Sequence, residues 1–275
     1  MVSAFLREAV AWAGEQPDVH GVLLIGSQAR ADTPADEASD VDLAVFVDDA
    51  ARFLRDGEWL RRFGQPLLSF REPTAVGGFE ERRVLFEDGL EVDFAILPAT
   101  VATGPPPEVG VVLARGFRVL YDDGIGLDGL KAPTIEPRAP TQAEFDQLTN
   151  DFWYHVLWAA KKLWRGEVLV AKQVCDCWLT AELVELARWR SHGHDTWHGF
   201  RFFERWADED LVAAMRATFA RYDPDDVPRA LRATADLFGQ LEDEVAQNSS
   251  LTSSLDRREI LLRLEALVAS SDAVQ

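Results

Sequence analysis

Apolar residues repeat every two positions in stretches of the first 125 residues and every three to four positions after Thr141. One layer type cannot satisfy both periods. The chain is therefore expected to be α+β: a mixed sheet with helices, followed by an all-helical bundle. In the first part Val19–Ile25 is a short apolar run suited to a buried strand. Residues 40–47 alternate, with Val41, Leu43, Val45 and Val47 on one side and Asp40, Asp42, Ala44 and Phe46 on the other. Residues 82–86 and 91–97 read as strands joined by Glu87-Asp88-Gly89, a hairpin signal, and residues 114–122 predict a last strand. Residues 2–13 and 50–63 have helical spacing, as do 145–164, 167–190, 208–221, 227–240 and 255–268. The Gly- and Pro-rich segment 122–140 reads as a linker, giving expected domains at 1–125 and 141–275.

The 275 residues carry 28 Lys and Arg against 47 Asp and Glu, a net charge of −19. Binding a phosphate backbone requires clustered cations, so this balance disfavours a nucleic-acid partner and favours a cationic one. Cys175 and Cys177, two apart in a helical pattern, point to different sides and are expected to be reduced thiols. The amino terminus lacks a basic segment leading into an apolar stretch, and no apolar run reaches the roughly 20 residues that span a bilayer. A cytoplasmic protein, monomeric or a weak homodimer, is expected.

The chemistry concentrates in Gly26-Ser27, Asp40-Val41-Asp42 and Asp93. A strand bearing Asp-x-Asp puts both carboxylates on one face, about 7 Å apart along the backbone, and a neighbouring strand can bring a third beside them. Three carboxylates together repel unless cations sit between them. Mg²⁺ suits such oxygen donors and binds through a few carboxylates plus substrate phosphates. Glycine lets backbone approach a phosphate closely, and a helix start offers free N–H donors. Ser27 either contacts phosphate or caps a helix. Arg30 either contacts a triphosphate or pairs with Asp32 or Asp36.

Gly-Ser, a spacer, Asp-x-Asp on a strand and a later acidic strand residue together resemble the nucleotidyltransferase superfamily, whose catalytic domain is polymerase-beta-like. More narrowly, Arg71-Glu72-Pro73, the Asp93-Phe94 strand and the helical stretch from Phe152-Trp153-Tyr154 through Gly166-Glu167 to Ala171-Lys172 resemble the aminoglycoside 6-adenylyltransferases of streptomycin type. The resemblance implies transfer of AMP from Mg-ATP to a hydroxyl of a cationic antibiotic, with the site between the two domains. It assigns the metals to Asp40, Asp42 and Asp93, and the triphosphate to Gly26, Ser27 and Arg30, with Lys172 as a further contact. The base is Asp93 or Glu167. The alternatives are a module that adenylylates a protein, transfer to another small molecule such as a lincosamide, and a non-catalytic nucleotide binder. The helical-domain tryptophans read mainly as core, with one or two available to stack on adenine or the antibiotic ring, His192, His194 and His198 as loop or surface histidines, and Glu80-Glu81 as solvated charge.

Overall fold

A computed structural model describes residues 1–30, 35–134, 138–191, 196 and 199–271. The chain divides into two compact units, Met1–Ile135 and Glu136–Gln275. The first contains strands β1 (Val19–Ile25), β2 (Val41–Val47), β3 (Pro66–Pro73), β4 (Glu80–Phe86), β5 (Glu91–Pro98) and β6 (Arg118–Asp122), with helices α1 (Val2–Glu15), α2 (Ala50–Arg55) and α3 (Pro107–Ala114). The six strands form one mixed sheet in the order β3-β4-β5-β2-β1-β6. β2 and β5 run parallel, and the other neighbours are antiparallel.

Helix α1 buries Phe5, Ala9, Trp12 and Ala13 against the face that carries Val41, Leu43, Val45 and Phe94. The opposite face carries Leu23, Ala44, Phe46 and Leu97 under Ala102, Leu113 and Leu127. The alternation of β2 thus sorts its side chains as its sequence predicts, and Asp42 lies at the amino end of the second face. A one-residue slip of β2 would trade Val41, Leu43 and Val45 for Asp42 on the α1 face. That costs about 1.5–3 kcal/mol for each displaced apolar side chain, before the carboxylate is counted.

Some elements differ from their sequence reading. The helix expected over 50–63 is two pieces, α2 and a 3₁₀ turn at Glu58–Arg62, separated at Asp56-Gly57. Asp49 caps the first piece, its carboxylate accepting the Arg52 N–H at 3.0 Å. Strand β3 lacks alternation because it is an edge strand with Leu67, Leu68 and Phe70 exposed. The strand expected from residue 114 begins at Arg118, after α3. The start of the Gly- and Pro-rich segment is itself folded: Asp122 accepts the Gly124 and Ile125 N–H groups at 2.9 Å, and Leu127 is fully buried.

The second unit is helical: α4 (Gln142–Trp164), α5 (Val168–Gln173), a π-helical turn (Val174–Leu179), α6 (Thr180–Ser191), α7 (Phe203–Trp206), α8 (Glu209–Thr218), α9 (Asp226–Ser249) and α10 (Arg257–Ser271). The single helix expected over 167–190 therefore contains a π turn, where the Thr180 hydroxyl donates to the Cys175 carbonyl at 3.1 Å. Cys175 is buried and Cys177 exposed, the opposite sides their spacing predicts. Burial pushes the Cys175 thiol up to about 11. Trp153 is core and donates to Glu242 at 3.0 Å, whereas Trp164 and Trp178 are 45% and 48% exposed, so packing does not account for every tryptophan. His192, His194 and His198 lie outside the described residues. No helix among the described residues is long and apolar enough to cross a membrane.

Helix α4 opens on a capping box: Thr141 Oγ1 accepts the Glu144 N–H at 3.3 Å, and Glu144 accepts the Thr141 N–H at 2.8 Å. Thr141→Ala is expected to cost about 1 kcal/mol in chemical denaturation of the helical unit.

Candidate active site

The site begins where β1 ends. Ile25 lies opposite Asp42 in the β1–β2 ladder, and the chain turns at once into a 3₁₀ turn, Gly26–Ala29. Gly26 has φ +67°, and a Cβ there would stand 1.8 Å from Asp42 Oδ2. Only glycine fits both that backbone and that approach. Ser27 Oγ is buried and has no hydrogen-bond partner among the described residues, so it caps nothing here. The Gln28 side chain donates to the Asp40 carbonyl at 3.4 Å, tying the turn to the start of β2.

Parallel pairing of β2 with β5 sets Asp42 directly beside Asp93. Carboxylate oxygens of Asp40, Asp42 and Asp93 all lie within 4.8 Å of one another. Burial, then Asp40 and Asp93, push the Asp42 carboxyl up to about 7, against the pull of Arg30. Burial pushes Asp93 up to about 6; Arg83 opposes it, while Glu81 and Asp40 add to it. Strain of this kind is what a bound cation relieves. The donor set is all carboxylate oxygen, the chemistry a hard divalent cation takes. Asp36 accepts the Ala38 N–H and the Ser39 hydroxyl at 3.0 Å, and Asp32 lies outside the described residues.

Arg83 escaped the sequence reading. It stands opposite Asp93 on β4 and reaches Asp93 at 3.3 Å, Glu72 at 2.5 Å and Glu81 at 2.9 Å. Glu81 is accordingly no solvated charge: its side chain is 12% exposed and burial raises its carboxyl. Glu80, on the other face, pairs with Arg71 at 2.7 Å. The signal available was the period of two, which places residues 81 and 83 on the same side of β4.

In the helical unit Glu167 is the N-cap residue of α5, following Gly166 at φ +75°, and takes the Lys162 ammonium at 2.8 Å. Lys172 is ion-paired with Asp176 one turn later, and Asp176 also accepts the Ala220 N–H at 3.2 Å.

The sequence profile of the streptomycin adenylyltransferase family matches residues 3–262. The chain belongs to this family. Members of the streptomycin adenylyltransferase family are nucleotidyltransferases, so the chain is of an enzyme family. The aminoglycoside 6-adenylyltransferase of Campylobacter jejuni is 25% identical over 242 residues, 82% of this chain and 81% of the relative. The aminoglycoside 6-adenylyltransferase of Bacillus subtilis (strain 168) is 24% identical over 214 residues, 72% of this chain and 74% of the relative. The crystal structure of an aminoglycoside 6-adenyltransferase from Bacillus subtilis aligns with a TM-score of 0.47 at 19% identity, over 94% of this chain and 95% of that one.

Proposed function

We propose that this chain transfers the adenylyl group of ATP to a hydroxyl of a cationic aminoglycoside, streptomycin being the first acceptor to test. The supporting observation is the convergence of Asp40, Asp42 and Asp93 beside the Gly26-Ser27 turn, in a chain of the streptomycin adenylyltransferase family. In this reaction the acceptor oxygen bonds to the α-phosphorus of ATP, the bond to the β-phosphate oxygen breaks, and pyrophosphate leaves. The hydroxyl proton passes to a carboxylate of the protein.

Asp40, Asp42 and Asp93 would hold Mg²⁺, which when bound neutralises the triphosphate and stabilises the leaving group. Gly26 lets the backbone come close to phosphate. Ser27 Oγ, buried with no partner among the described residues, is the hydroxyl we assign to a phosphate oxygen. Arg30, whose charge already acts on Asp42, is assigned to the same triphosphate. Asp93 is the first candidate base and Glu167 the second, which would have to give up Lys162. A Lys172 contact to phosphate would likewise require it to leave Asp176. The surplus of carboxylates, −19 overall, suits a polycationic acceptor.

The test is pyrophosphate release from Mg-ATP across an antibiotic panel that includes streptomycin. Release is expected only with an aminoglycoside and is expected to vanish in the Asp40→Asn/Asp42→Asn double variant. Release with a lincosamide alone, or none with any antibiotic, would reject the aminoglycoside reading. Ser27→Ala is expected to raise the KM for ATP about tenfold, the worth of one hydrogen bond to a charged group, while leaving stability unchanged. Near-normal turnover in Glu167→Gln together with loss in Asp93→Asn would make Asp93 the base.

A further inference from the structure

The helical unit has a second concentration of charge. Helices α4 and α6 enclose an open groove of about 400 Å³, whose lining includes Gln147, Leu148 and Asp151 from α4 and Glu182 and Trp189 from α6. One turn further along α4, His155 meets Trp178 of the π-helical turn that leads into α6, with ring centroids 4.9 Å apart, and Tyr154 lies beside His155 at 5.3 Å. Trp178 is 48% and Tyr154 65% exposed. The π-helical turn Val174–Leu179 carries Trp178, and such turns recur at functional sites.

The carboxylates of the stretch from α4 to α6 differ in how they are paired. Glu144 has Arg138, Glu185 has Arg188 at 2.5 Å, Glu167 has Lys162 at 2.8 Å, and Asp176 has Lys172. Among the described residues, the ion partner of Asp151 is His155, at 2.8 Å. Glu182 Oε2 is buried with no hydrogen-bond partner among the described residues. Burial, with Asp151 and Glu185 adding to it, pushes the Glu182 carboxyl up to about 7 against the pull of His155. A buried carboxylate oxygen left without a donor costs stability unless something supplies one. Exposed indole and phenol rings beside carboxylates that no Lys or Arg pairs among the described residues are the chemistry that recognises an organic cation.

We infer that the α4–α6 groove is a binding subsite for a guanidinium or ammonium group of the acceptor, with Asp151 and Glu182 taking its charge and Trp178 stacking on it. The identity of that cation rests on the aminoglycoside reading; the groove and its two carboxylates do not. Glu182 is a specificity residue in this scheme, acting on binding and not on the transferred group.

Calorimetric titration of streptomycin into the full chain, without ATP or metal, tests the assignment. Glu182→Gln and Asp151→Asn are each expected to raise the Kd about tenfold, and Trp178→Leu several-fold. Glu209→Gln, an exposed carboxylate on α8, and the Kd for Mg-ATP in all variants are expected not to change. Unchanged streptomycin affinity in every groove variant, with transfer to streptomycin intact, would overturn the groove and leave the proposed function standing. Groove-dependent binding with no transfer to any antibiotic would do the reverse. A wild-type chain that binds no streptomycin overturns the groove assignment outright.

Discussion

Asp42→Asn is expected to lower kcat/KM about a thousandfold and to stabilise the metal-free protein at neutral pH. The loss of activity follows from the place of Asp42 between Asp40 and Asp93, at the point where β1 turns into Gly26. Under the proposed function Asp42 is a charged metal ligand, whose removal forfeits several kcal/mol of transition-state stabilisation, so kcat/KM should fall by about 10³. The gain in stability has the opposite origin. Folding lifts the Asp42 carboxyl from 3.8 to about 7, chiefly by burial and then by Asp40 and Asp93.

A carboxyl raised in this way favours the folded state while it is protonated. Its contribution is complete below about pH 4 and is lost as pH rises through about 7. Asp93, raised to about 6, acts in the same direction. The metal-free wild type is therefore expected to lose stability between pH 4 and 7.5 relative to Asp42→Asn. The loss should be about 2–4 kcal/mol, because a tenfold change in an acid constant on folding is worth about 1.4 kcal/mol. Urea denaturation of the two proteins in chelator, compared at each pH, measures the difference and cancels the general effect of a −19 chain. Mg²⁺ should restore the wild type at pH 7.5 and leave the variant unmoved, because an ion that binds only the folded protein stabilises it. A difference that does not change with pH would refute the burial of charge at this position.

Gly26→Ala is the second large effect. The new methyl group would sit 1.8 Å from Asp42 Oδ2, far inside contact distance, so either the turn or the carboxylate must move. The backbone at φ +67° adds about 1–2 kcal/mol for any residue with a Cβ. A displacement of about 1 Å at a reacting centre costs on the order of 10² in rate, so kcat/KM should fall by about 10²–10³. Gly89→Ala is the control: φ there is +87° with nothing within 4 Å of the added carbon. It should share the backbone cost in thermal denaturation and leave kcat/KM unchanged. Equal activity losses in the two variants would mean that approach to Asp42 is not what glycine provides.

Local pattern explains what was readable in advance. The period of two in β2 put Asp40 and Asp42 on the face away from Val41 and Leu43, because the core accepts only one of the two sets. The Gly26-Ser27 turn was visible because a tight turn after an apolar run has few alternatives to glycine. Edge strand β3 was invisible for the same reason: with one neighbour and little burial, it has no alternation to display. The break at Asp56-Gly57 was hidden because both flanking turns keep helical spacing.

Long-range pairing decided the rest. Residue order alone specified the α+β composition of the chain, the face of β2 that bears carboxylates and the glycine that lets Asp42 approach. Packing was needed to set Asp93 beside Asp42, through a parallel register between strands far apart in the chain. It also drew Arg83 onto Asp93, Glu72 and Glu81, and buried Glu182 Oε2 with no hydrogen-bond partner among the described residues. Periodicity reports which side of its own element a residue takes; register, burial and the partner across the gap depend on the element that packs against it.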